Sequence, residues 1–296
     1  MTRSRVPPHD DTIDGDVYVT PRYLAGSITI GDPALEPLRA LGWELHHDDL
    51  ANAYLTAPDR KVRLGFLPEG DDDGLWRINA YHDRFGPPVW GVSFNDECPT
   101  EFVTAFTTAL ARAYKDGPDH YLAPPDPTDP ERAAFAAVAP LINRGWKTQH
   151  PRWDVLELQT PDGMAGLEYT TGRLDPEKEL TTLQARWYMW GGPKNSYSRW
   201  YATASTNTPV PLVKAITLSV SDPAPLPRWK DFMPRSLREH AQLTPITPPP
   251  PPVPTPLDVH RAAARRPPAL TTRNIPRWST TTLPSALPAG RSGPRR

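Results

Sequence analysis

At 296 residues, with a formal net charge of -1 and a single cysteine, Cys98, the chain has room for about two domains and no global attraction to nucleic acid or anionic membrane. One cysteine excludes an intrachain disulfide and a cysteine-based zinc cluster. No stretch reaches the roughly 18 to 20 consecutive apolar residues of a membrane-spanning helix, and no apolar run follows the basic start. The expectation is therefore a cytoplasmic protein without membrane contact.

In chain order, residues 1–15 read as a disordered N-terminus and 16–116 as a first domain. Asp32 to Gly42 has the pattern of a short helix: Asp32 as cap, Pro33 at the first helical position, apolar residues at 34, 35, 38 and 41, and Gly42 as the stop. Strands are expected at 43–47, 53–57, 62–67, 76–82 and 89–94. Val62, Leu64 and Phe66 alternate with Arg63 and Gly65, the period of a sheet with one buried face. Pro58-Asp59 marks a hairpin turn. Pro99 to Tyr114 closes the domain as a helix with Phe102, Val103, Phe106, Ala109, Leu110 and Ala113 on one face.

Residues 117–130 are proline-rich and read as a linker, and 131–240 restate the first domain. Leu38, Gly42, Trp43, Pro58 and Asp59 recur 103 positions later as Leu141, Gly145, Trp146, Pro161 and Asp162. Trp90, Pro99, Val103 and Ala105 recur 110 positions later as Trp200, Pro209, Val213 and Ala215. A fixed displacement broken by one length change marks a duplicated domain. The seven extra residues are expected around Leu174 to Glu179 or at Gly191-Gly192-Pro193. Strands in succession without intervening helices give the fold class α+β: two homologous helix–antiparallel sheet–helix domains in tandem. From 241 to 296 the chain reads as a disordered Pro/Arg-rich tail, opened by the unbroken run Pro248 to Pro252. Eight arginines face one acid there, Asp258, a surplus of about seven that leaves the body at about -8.

The pattern Pro21-Arg22-Tyr23-Leu24-Ala25-Gly26, Gly42-Trp43, Pro58-Asp59, Pro68-Glu69-Gly70, Trp90 and Pro99 is followed by Gly145-Trp146, Pro161-Asp162-Gly163, Arg199-Trp200-Tyr201-Ala202, Ser205 and Thr208-Pro209. It resembles the actinomycete (Streptomyces-type) domain-of-unknown-function family 317, in tandem copies, over about residues 16 to 230. The resemblance implies an intracellular protein and supplies no catalytic residues.

Residues that could carry chemistry have plainer readings. Cys98 precedes a helix start, where unpaired backbone donors favour the thiolate. Its duplicate is Thr208, however, and Cys98-Pro99-Thr100-Glu101 keeps the acid of a capping box, so a helix cap is expected. His46-His47-Asp48-Asp49 reads as a polar hairpin, because neighbours on a strand point to opposite faces. Asp71-Asp72-Asp73-Gly74 reads as a solvated acidic loop lacking the spaced ligands of a calcium site. Trp43, Trp146, Trp90 and Trp200 recur between copies and are assigned to the cores. Trp153, Trp190 and Tyr197 have no aromatic counterparts and form the candidate binding surface. Arg261, Arg265, Arg266, Arg273, Arg277, Arg295 and Arg296 are candidate polyanion contacts.

No phosphate-cradling glycine loop, Gly-x-Ser-x-Gly elbow or His-Glu-x-x-His pattern occurs, so no catalytic residue, cofactor or metal is expected. The leading expectation is a non-enzymatic binding or adaptor protein with a protein partner. The alternatives are a nucleic-acid-associated protein using the basic tail and an enzyme with an unrecognised site between the repeats.

Overall fold

Alternation of apolar and polar side chains builds five antiparallel strands in each half of the chain. The computed structural model describes residues 15–28, 30–68, 75–124, 130–149, 153–182, 184–247 and Arg261. The N-terminal residues 1–14, the Asp71-Asp72-Asp73-Gly74 loop, and the tail from 248 onward apart from Arg261 lie outside them. In the first half the strands are β2 (Glu44–His47), β3 (Ala53–Thr56), β4 (Val62–Phe66), β5 (Trp76–Tyr81) and β6 (Pro88–Phe94). In the second they are β7 (Lys147–Gln149), β8 (Val155–Gln159), β9 (Ala165–Thr170), β10 (Trp187–Gly191) and β11 (Trp200–Ala204). The two sets do not form separate sheets. They join edge to edge into ten strands in the order β2-β3-β4-β5-β6-β11-β10-β9-β8-β7.

The seam has a register that defines its symmetry. Phe94 pairs with Ala202, Ser93 with Thr203 and Val92 with Ala204. Equivalent residues here are 110 positions apart, so Ser93 lies opposite its own duplicate and a pseudo-two-fold axis passes between them. The seam buries what would otherwise be two open sheet edges. Beside it the contacts come in matched pairs: Asn95 N–H donates to the Tyr201 carbonyl (3.2 Å), and Ser205 N–H to the Gly91 carbonyl (3.0 Å).

One face of the sheet is covered by helices α1 (Asp32–Arg39), α2 (Thr100–Asp116), α4 (Pro130–Ile142) and α6 (Val210–Ser221). A single apolar core runs through both halves, from Leu55, Ile78 and Trp90 across Phe102, Phe106 and Ile216 to Leu167 and Trp200. Trp43 and Trp146 are buried in it with the other recurring tryptophans. The helix starts differ by one residue from expectation: Gly31 is the N-cap of α1, and Asp32 already lies in the helix. The seven extra residues of the second half fall between β9 and β10, where α5 (Pro176–Thr181) forms with Asp175 as its cap. Leu180 of α5 covers Gly91 from the face opposite the helices, and a Cβ at Gly91 would approach its Cδ2 to 2.8 Å.

The stretch 117–130 is more than a linker. It contains α3 (Pro118–Tyr121), and Tyr121 and Leu122 are buried. Tyr121-Leu122-Ala123 repeats Tyr23-Leu24-Ala25 at a displacement of 98, and each segment precedes the first helix of its own repeat. Both are docked on the other repeat. The Tyr23 hydroxyl donates to Asp162 Oδ2 (2.8 Å) and the Tyr121 hydroxyl to Asp59 Oδ2 (2.7 Å). Reciprocally, Trp200 Nε1 donates to the Tyr23 carbonyl (2.9 Å) and Trp90 Nε1 to the Tyr121 carbonyl (2.8 Å). The Pro-Asp turns of the two repeats are thus the sockets for exchanged tyrosine arms, the arrangement of a swapped dimer written into one chain.

A three-stranded sheet with no duplicate adds a cap: β12 (Leu226–Trp229), β1 (Asp16–Thr20) and β13 (Gln242–Pro245), with the helical turn α7 (Arg235–Arg238) between its last strands. Expectation placed a disordered tail from 241. Instead Gln242 to Pro245 pair with Thr20 to Val17, and the compact unit holding both repeats ends at Ile246. Arg228 of β12 fastens the cap to α2, its guanidinium meeting both Glu101 oxygens at 2.7 Å while also donating to the Gly26 carbonyl (3.0 Å).

Candidate functional site

Helix α2 buries Phe102, Val103, Phe106 and Leu110 against the sheet. Its outward stripe is Glu101, Thr104, Ala105, Thr108, Ala109 and Arg112, at the i, i+3, i+4, i+7, i+8, i+11 spacing of one helix face. On α6 the corresponding stripe is Ala215, Leu218 and Ser219, continued by Asp222 at the helix C-cap. Ser219 near the end of α6 donates to the Glu101 carbonyl at the start of α2 (3.5 Å), so the helices run antiparallel. Because the facing residues are small, a trough of about 880 Å³ opens between them. Arg22, Pro33 and the end of α4 (Pro140, Asn143, Arg144) complete its walls.

The charges in this groove are unevenly quenched. Glu101 is held by Arg228, and Asp222 by Arg22 at 3.0 Å, with Arg22 Nε also donating to the Ala224 carbonyl (2.6 Å). Arg112 and Arg144 are exposed, and neither guanidinium has a partner among the described residues. The arrangement is an apolar floor flanked by two free, planar, five-donor cations.

The sequence reading did not single out Arg112 or Arg144. The recurrence of Ala105 as Ala215 was a signal for the groove, since a small residue kept on the outward stripe of both helices marks a close approach.

The expected aromatic surface does not form. Trp153 and Tyr197 are fully exposed, at 93% and 102%. They lie at opposite ends of the second half-sheet, Trp153 beside the β8 end that pairs with Thr170 and Tyr197 beyond Gly191, which pairs with Ala165. Trp190 is 2% exposed and is corrected from surface to interior. Its indole lies over Gly166, where a Cβ would come within 2.6 Å, and under the Arg199 guanidinium at 4.1 Å. Of the tail arginines, Arg261 is exposed and helical, and Arg265, Arg266, Arg273, Arg277, Arg295 and Arg296 lie outside the described residues.

Cys98 is also corrected. The caps of α2 and α6 are Pro99 and Pro209, with no side-chain capping bond, and Glu101 turns to Arg228 rather than back to the helix start. The thiol is buried, and burial, followed by the Glu101 charge, pushes its pKa well above the ordinary thiol value, away from the thiolate. His46 and His47 run into a hairpin organised by Asp48, which accepts from Leu50 N (3.0 Å), Asn52 N (2.9 Å) and Asn52 Nδ2 (2.8 Å). Among the described residues no three His, Cys, Asp or Glu side chains cluster as metal ligands.

A smaller cavity of about 200 Å³ lies beside α5. Its buried acid, Glu179, is already engaged by the Thr206 amide (2.5 Å) and hydroxyl (2.6 Å). Arg186 there is committed to the Thr170 and Gly172 carbonyls.

No curated protein and no solved structure matches the chain. The family model described as SPDY, domain of unknown function (DUF317), matches residues 56–115 and again 159–226. Each match holds one socket, Asp59 with Trp90 or Asp162 with Trp200, and one groove helix, while both tyrosine arms lie outside. The chain thus carries two regions that match the DUF317 (SPDY) family model, one in each repeat, consistent with tandem copies, and the two repeats are joined through one sheet.

Proposed function

We propose that the chain is a non-enzymatic cytoplasmic binding or adaptor protein whose contact surface is the groove between α2 and α6. The observation that supports this reading is a trough of about 880 Å³, walled by both repeats and edged by Arg112 and Arg144, which have no partner among the described residues. A concave surface of that size, with small apolar residues on its floor and polar and charged side chains around it, is the form of a binding surface. The chain's one thiol is buried, and burial raises its pKa well above the ordinary thiol value, which disfavours a thiolate nucleophile there. The test compares proteins cross-linked in cells to the full chain and to the Arg112→Glu/Arg144→Glu variant. A partner lost only with the variant supports the reading. An unchanged partner set contradicts it.

A second reading, nucleic-acid association through the tail, is favoured by eight arginines against one acid after residue 240. Binding of a labelled duplex that falls steeply with salt and disappears on removing residues 248–296 supports it. Binding kept by the shortened chain moves that contact onto the folded body.

A further inference from the structure

Resting on the groove as the binding surface, we infer that its occupant is an acidic, amphipathic helix of a partner protein, about three turns long. The α2 stripe from Glu101 to Arg112 covers twelve residues, about 16 Å of helix axis, which matches about three turns of a helix laid along it. Ala105, Ala109 and Ala215 make a shallow floor that lets another backbone come close. Leu218 rises from it half exposed and offers the apolar contact.

Charge sets the sign of the partner. Glu101 and Asp222 are neutralised within the protein, so the groove presents two uncompensated guanidiniums on a body whose formal charge is about -8. Guanidinium matches carboxylate in a planar, two-point bond, so carboxylates on the flanks of an apolar helix face complement this site. The chain's own tail has the same sign as Arg112 and Arg144 and so does not complement them.

The test is selection from a displayed library of helical peptides of about 12 residues against the full chain, run in parallel against the Arg112→Glu/Arg144→Glu variant. Both substitutions are at exposed positions, and an unchanged melting temperature confirms that the variant is folded. The expected result is enrichment of Asp or Glu beside apolar residues at i, i+3, i+4 and i+7. The enriched peptide should bind the variant at least about tenfold more weakly, and its Glu→Lys version should prefer the variant.

A neutral motif lost with the variant overturns the acidic partner but leaves the groove as a binding site. Absence of enrichment, or identical motifs from both proteins, overturns both. A second copy of the chain as occupant would appear as a concentration-dependent dimer abolished by the variant, and this too overturns the acidic partner.

Discussion

Arg112 in the first repeat and Asp222 in the second are 110 positions apart and occupy equivalent places along the groove, yet among the described residues one has no partner and the other is neutralised by Arg22. That contrast separates two kinds of feature. What the repeats share is structural: the Ser93–Thr203 seam, the Pro-Asp sockets, the exchanged tyrosines and the paired tryptophans. What they do not share is placed around that frame. Helix α5 packs over Gly91 and holds Thr206, the β12-β1-β13 cap grips α2 through Arg228, and Arg112 and Arg144, unpartnered among the described residues, belong to no matched pair. Duplication supplied a symmetric scaffold, and divergence gave its central groove a charge.

If the repeats are structurally equivalent, Trp90→Ala and Trp200→Ala should cost nearly the same, about 3 to 5 kcal/mol each by chemical denaturation, because each removes a fully buried indole. A difference of several kcal/mol between them would break the equivalence. Glu101→Ala probes the unshared cap. It strands the buried Arg228 guanidinium and should cost about 3 kcal/mol, whereas a cost below about 0.5 kcal/mol would show the cap to be loosely held.

The arms come next. Tyr121→Phe and Tyr23→Phe each remove a hydroxyl-to-carboxylate bond and should cost about 1 to 2 kcal/mol, with Tyr121 the larger because its bond is less exposed. Burial first, then the hydrogen-bonded carboxylate, raises both phenols above their ordinary value near 10. The native state therefore holds those protons more tightly than the unfolded chain. Stability from this source is intact below about pH 10 and declines above it, and the double Phe variant should flatten that decline in a pH series of melting temperatures. Smallest is Cys98→Thr, which copies the residue at Thr208 and should change stability by less than about 1 kcal/mol.

Much of each repeat was legible because the strands alternate cleanly. Val62, Leu64, Trp76, Ile78 and Ala80 all face the core, as their spacing requires. Fusion into one sheet was not legible, because β6 and β11 read as ordinary half-buried strands and a sequence does not state which edge a strand will meet. The arms escaped notice because Tyr121-Leu122-Ala123 is displaced by 98 rather than 103 and lies in a proline-rich stretch that resembles a linker. Trp190 was misread since only its strand neighbour, Gly166, reveals the space that takes the indole. The groove was obscure for a related reason: its chemistry lies in which charges go unanswered, and Asp222 and Arg22 meet across 200 positions of sequence.

The central claim is that two repeats, joined by one seam and exchanged arms, fold as one unit. Equilibrium unfolding of the full chain in denaturant, followed by tryptophan fluorescence and far-ultraviolet circular dichroism, tests it most directly. A single transition with the same midpoint by both probes, shifted as a whole by Trp90→Ala or Trp200→Ala, is the predicted result. Two separated transitions, each moved by only one of those substitutions, would contradict it.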